Sequence, residues 1–164
     1  MLYKDPTTKI IKALYQTLSG ITEAATYSFV PNNKKNHYIF IGDVQLIEKQ
    51  VSCFVVAGSF TVELYTGTNG WTGSLTTPFD IAATIKSKIK PNNNSILDLS
   101  PSHTMIFMRM INDSGLQQIS DTEKLYINTI QYEFELQQNP GYTERVIANN
   151  GELENPDCIS LEYR

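Results

Sequence analysis

The order in which hydrophobic periodicity switches along this chain constrains its fold more than any single residue does. A helical period comes first, then three extended segments, a second helical period, two more strands, and a polar stretch that fits neither pattern. Each helical segment has one apolar stripe and the later strands alternate. Together these predict a single α+β domain with a mainly antiparallel sheet, both helices on one face, and an extended C-terminal arm. The domain is expected over residues 1–138 and the arm over residues 139–164.

The first helix has a start signal in Asp5-Pro6. The carboxylate can cap, and proline is tolerated in the first turn, where its missing N–H has no partner to lose. Ile10, Ile11, Leu14 and Leu18 then recur at helical spacing, and Gly20 is the expected stop. For the second helix, Thr77 is expected to cap, with Pro78 in the first turn and Asp80 three residues past the cap. Ile81, Ile85 and Ile89 form its stripe, joined by Phe79 and Ala82. Lys86, Lys88 and Lys90 gather where the helix dipole favours cations.

Between the helices lie Thr26–Val30, a strand around Tyr38–Ile47, and a run from Val51 to Tyr65 interrupted by Gly58, which suggests a bulge or bend. The middle strand carries Tyr38, Phe40, Val44 and Leu46 on one face and Ile39, Ile41 and Ile47 on the other. Neither face is polar, so cover is expected on both. After the second helix, Met105–Ile111 is apolar except for Arg109. Tyr126, Ile130, Tyr132, Phe134 and Leu136 then alternate with Ile127, Thr129, Gln131, Glu133 and Glu135. Asn128 interrupts the apolar face and suggests a sheet edge or a polar contact.

Composition excludes several function classes. The net charge of -4 argues against a broad nucleic-acid face, which needs clustered Lys and Arg. Lys34-Lys35 sits in a turn-rich stretch and reads as a solvated loop. The cysteines Cys53 and Cys158 are far apart, Cys53 within an apolar run, so no disulfide framework is expected. No signal-peptide core is recognisable, and no apolar run approaches the roughly 20 residues of a membrane helix. A soluble, unexported protein is the expectation.

Catalytic chemistry finds no support. His37 and His103 stand in or beside turns without ligand-spaced partners, and read as surface or edge histidines rather than metal ligands. Asp98, Ser100, Ser102 and His103 resemble a triad in composition only. Glu133 and Glu135 share a strand face, as solvent-facing carboxylates commonly do. No enzyme, cofactor or metal is expected.

Two segments offer contacts instead. The loop Thr66–Ser74 holds glycines at intervals of three around Trp71, with no Gly-Lys-Ser/Thr ending to make it a phosphate loop. Trp71 reads equally as an anchor for a partner or as a lid on its own core. The arm carries Tyr142, Val146, Ile147, Ile159, Leu161 and Tyr163 between turns at Asn139-Pro140-Gly141, Asn149-Asn150-Gly151 and Asn155-Pro156-Asp157, with a disordered tail as the competing reading. Gly67, Asn69, Gly70, Trp71, Tyr142, Val146, Ile147, Ile159 and Leu161 are therefore the expected interface residues.

The helix Lys9–Leu18, the strand Gly58-Ser59-Phe60-Thr61-Val62-Glu63-Leu64-Tyr65, the helix Pro78–Ile89 and the closing strand Leu125–Phe134 carry a resemblance. In order and strand texture, over roughly residues 5–137, the chain resembles the tail terminator or tail-completion proteins of long-tailed bacteriophages and related head–tail connector ring proteins. That resemblance implies a structural virion protein at the head–tail junction, assembled in the host cytoplasm. It also implies a homo-oligomeric ring, hexamer or dodecamer, contacting portal or connector and tail-tube proteins, and supplies no catalytic residues. The alternative is a stand-alone α+β ligand-binding or regulatory domain in which the Gly-rich loop is a lid.

Overall fold

The computed structural model describes residues 4–50, 54–67, 73–90, 97–119 and 125–139. Helix α1 spans Thr7–Leu18, followed by β1 Ala25–Tyr27, β2 His37–Gln50, β3 Val55–Thr66, α2 Thr76–Ile89, β4 His103–Asp113, β5 Gln117–Gln118 and β6 Tyr126–Gln138. The sheet order is β1-β2-β3-β6-β4, with β5 also paired to β6. Among the described strands only β1 is parallel to its neighbour; the other pairings are antiparallel. This is the expected α+β domain.

One core joins the two layers. Ile10, Leu14 and Leu18 of α1 and Ile81, Ile85 and Ile89 of α2 meet Val56, Phe60, Val62 and Leu64 of β3 and Ile130, Tyr132, Phe134 and Leu136 of β6 in a single cluster. Each such side chain contributes about 1.5–3 kcal/mol by leaving water. The registers Val62↔Ile130 and Phe60↔Tyr132 place alternate residues of both strands on the helix side, with the Phe60 and Tyr132 rings stacked at 5.1 Å. Burial, reinforced by the charge of Asp113, pushes the Tyr132 phenol up to about 12.

The helix starts differ in part from expectation. Asp5 Oδ1 does accept the Thr7 N–H at 2.7 Å, but α1 ends at Leu18 without help from Gly20, the Ser19 N–H reaching Tyr15 O. For α2 the cap is corrected. The helix begins at Thr76 with Leu75 at the N-cap, and no side chain caps it there. Ser74 Oγ instead accepts from Thr76 N at 3.3 Å and from Thr76 Oγ1 at 3.0 Å, moving the start one residue upstream of Thr77. Phe79 leaves the stripe, 56% exposed, because it lies two residues from Ile81 and so on the opposite side of a helix whose buried face is Pro78, Ile81, Ala82, Ile85 and Ile89.

Strand β2 explains its own two-faced sequence. Ile39 and Ile41 lie in the core, and the partly buried Val44 and Leu46 pack against it, although the two pairs have opposite parity. The register steps from Ile41↔Val62 to Val44↔Phe60, so one extra residue around Gly42-Asp43 bulges and returns the strand to the same face. Cover on the outer face is local: Tyr38 stacks on Tyr65 at 4.8 Å and approaches Tyr27 at 5.8 Å. Ile47, past the bulge, is 70% exposed. The expected bulge at Gly58 is absent, since Gly58 keeps regular register with Leu46 and Phe134. Its role is close approach: an added Cβ would stand 2.2 Å from Gln45 O.

Candidate interaction surface

Of the expected interface residues, the described structure includes Gly67. It is buried, turns the chain at φ 95, and donates its N–H to Asn36 O at 3.1 Å. That left-handed conformation suits glycine, and it launches the loop from the end of β3. Asn69, Gly70, Trp71, Tyr142, Val146, Ile147, Ile159 and Leu161 lie outside the described residues, as do Cys53 and Cys158.

The structure brings forward a surface that the sequence did not single out. Strand β4 lies at the end of the sheet order and bonds β6 on one side; among the described residues no strand bonds its other side. Phe107, Met110 and Ile111 on it are 42%, 45% and 44% exposed, with Ile119 nearby in sequence at 50%. Met105 and Met108 of the same strand are buried. The unbroken apolar run Met105–Ile111 was the available signal, but it reads the same whether the strand is covered or open.

Charged groups hold this edge in place. Arg109 pairs with Glu133 across the strands and rests its guanidinium 5.7 Å from the Phe107 ring centre. From α2, Lys86 bonds Asp113 Oδ2 at 2.8 Å and Lys90 donates to Met108 O at 2.8 Å. These two lysines thus have specific partners beyond the helix dipole. Burial opposes ionisation of Asp113, but hydrogen bonds from Lys86, the Gly115 N–H and Asn128 outweigh it and hold the carboxyl below its ordinary range. Asn128 itself sits on β6, inside the sheet, so its role is this polar contact and not an edge.

At the other end of β4, His103 lies on an edge strand, one of its two expected places, but it is buried, 3% exposed, and not at the surface. Its Nε2–H donates to Lys4 O at 3.0 Å, because a carbonyl can only accept, and Nδ1 then accepts from Ser102 Oγ at 2.8 Å. Burial holds its pKa below the ordinary histidine value, opposed by the bond to Lys4. Asp98 Oδ1 accepts from Ser100 N at 3.0 Å in a local turn. The carboxylate that would orient a triad histidine is thus engaged elsewhere. His103 pins the N-terminal segment to the sheet, and Lys4 N adds a 2.7 Å bond to Gln138 Oε1. Among the described residues no group of three or more His, Cys, Asp or Glu is placed to hold a metal, and no helix is long and apolar enough to cross a membrane.

A shallow open groove beside α1 is lined by Ile11, Lys12, Tyr15, Gln16 and Ser28. It has no convergent set of polar groups of the kind that orients a small ligand.

No protein-family model matches the chain, and no curated protein matches it in sequence. Its shape does have a counterpart. A chain in the structure of the virion of the native gene transfer agent particle superposes with a TM-score of 0.64 at 11% identity, over 82% of this chain and 99% of that one. The chain shares that protein's fold. At this identity the likeness concerns the backbone architecture, and nearly the whole of the virion chain is accounted for by it.

Proposed function

We propose that this protein is a structural subunit of a virion: a ring-forming tail terminator or head–tail connector protein, without turnover and without a cofactor. The observation that carries the reading is the superposition on a virion chain over 99% of its length. The element order that resembles phage tail terminators supports it independently, and so does the apolar edge at Phe107, Met110 and Ile111, which a neighbouring subunit would cover. The ring is a hexamer or dodecamer, flanked by portal or connector protein on one side and tail-tube protein on the other. Residues 1–138 form its body and 139–164 its arm.

The test is the mass and shape of the purified full chain. Light scattering on a sizing column, with negative-stain images, should return a closed ring that binds at least one other virion protein. A stable monomer at high concentration that binds none of them overturns the proposal. A monomer that binds a small molecule under the Gly67–Ser74 loop would establish the ligand-binding alternative.

A further inference from the structure

The two edges of the sheet are unequal. The β1 edge is three residues long, Ala25–Tyr27, and very short edge strands are self-limiting. The β4 edge is long and apolar. Between its two register shifts, Phe107–Met110 keeps regular pairing with β6 in a straight stretch, along which Lys90 holds Met108 O and an added strand would replace that one bond. Backbone groups along such an edge add a strand readily, and side-chain contacts then select which one.

The chain contains a segment with the matching pattern. Cys158-Ile159-Ser160-Leu161-Glu162-Tyr163 alternates, with Ile159, Leu161 and Tyr163 on one side and Cys158, Ser160 and Glu162 on the other. Pro156 precedes it, a residue suited to the start of an edge strand.

Where the chain leaves the domain sets how far the arm can reach. Asn139 is fixed beside the start of β4: its N–H bonds Ser102 O at 2.9 Å, its Nδ2 bonds Pro101 O at 2.9 Å, and its Oδ1 accepts from Thr104 Oγ1 at 2.6 Å. The lead-in to β4, with Leu97 and Leu99 buried, enters at that same end. Residues 140–157 extend up to about 60 Å at roughly 3.3 Å per residue. A body of this size is about 35–40 Å across, so a segment of that length is long enough to reach a neighbouring subunit.

We propose that residues 158–163 of one subunit add as a strand to the β4 edge, around Phe107–Ile111, of the next subunit. The proposal rests on the ring reading above and names the contact that links its members. Because donor segment and acceptor edge are different surfaces, the contact is heterologous, the kind that closes into rings.

Cys158 provides a native probe in the full-length chain. In a Cys53→Ala background, single cysteines are placed on the acceptor edge (Phe107→Cys, Arg109→Cys, Ile111→Cys) and, as a control, at the exposed Glu23 (Glu23→Cys) near the opposite edge. Mild oxidation should give a ladder of covalent oligomers from at least one edge variant and none from the control, with peptide mass spectrometry locating Cys158 in the bond. A disulfide formed only within single chains would mean the arm covers its own edge, overturning the exchange between subunits. No disulfide from any edge variant also overturns it. Light scattering on the same samples separates the two claims. Rings without the bond refute this contact and leave the ring reading intact, while a ladder from chains that never close refutes the ring and leaves the contact intact.

Discussion

Gly58 and Phe134 face one another across β3 and β6, and the phenyl ring occupies the space that a side chain at position 58 would need. A Cβ there would stand 2.7 Å from Phe134 Cζ and 2.2 Å from Gln45 O on the opposite neighbouring strand. Gly58→Ala should therefore destabilise the domain by about 3 kcal/mol, the upper part of the usual overpacking range. Phe134→Leu in the same chain should recover only a fraction, because the carbonyl of Gln45 cannot retreat without disturbing the β2–β3 pairing. Urea unfolding of both variants checks this. A Gly58→Ala chain as stable as the parent would show that β2 and β3 lie further apart.

The pH dependence should centre on His103. Its folded pKa is depressed by burial, and that of His37 is depressed for the same reason. The unfolded chain then binds more protons than the folded one below an ordinary histidine value of about 6.5. The stability contribution is complete above that pH and is lost as pH falls through and below it. Each histidine contributes a slope of up to about 1.4 kcal/mol per pH unit until its folded pKa is reached. Asp113 acts in a separate window, below about 4, since its folded pKa is also depressed and its contribution disappears as the unfolded carboxylate protonates. Denaturant midpoints measured from pH 7.5 to 5.5 should fall for the parent chain. The slope should be clearly smaller in His103→Gln, and an unchanged slope would remove His103 from the account.

How much of this was legible in the sequence depended on whether the cause was local. The alternation of β6 was readable because each residue's face follows from its neighbours two positions away, and the stripes of α1 and α2 were readable at helical spacing. The phase change in β2 was not. A bulge at Gly42-Asp43 that returns Val44 and Leu46 to the face of Ile39 and Ile41 gives the same residue string as a strand covered on both sides. His103 misled for another reason: its sequence neighbours are polar and turn-like, while the partner that buries it, Lys4, is 99 residues away. The open edge of β4 was invisible because an apolar run does not say which of its flanks has a neighbour. Asp98 and Ser102 suggested a triad from proximity in sequence, but the Asp98 carboxylate is directed to its own turn.

Thr66 offers a stabilising change. Its side chain is fully buried, and Oγ1 has no hydrogen-bond partner among the described residues. A buried hydroxyl without a partner costs about 1–3 kcal/mol. Thr66→Val keeps the β-branched shape and removes the unmet group, so it should raise stability by about 1 kcal/mol in chemical denaturation. A loss of similar size would mean that the hydroxyl is satisfied in solution, by a water or by a residue of the following loop.

The last prediction separates the body from the segments proposed to make contacts. The core cluster runs from Ile10 to Leu136, and the bonds of Asn139 to Pro101, Ser102 and Thr104 remain in a chain that stops after Asn139. Truncation to residues 1–139 removes none of these contacts and should thus leave the unfolding free energy within about 1 kcal/mol, little more than surface substitutions do. It should weaken assembly at least tenfold, read as the subunit concentration at which half the mass is in rings. Trp71→Ala should likewise affect assembly or docking by about 2 kcal/mol, as a buried aromatic anchor would, with a smaller effect on folding. If the truncated chain unfolds, the arm belongs to the domain's own core. If it assembles as well as the full chain, residues 140–164 contribute nothing to the ring, and the exchanged strand at β4 falls with them.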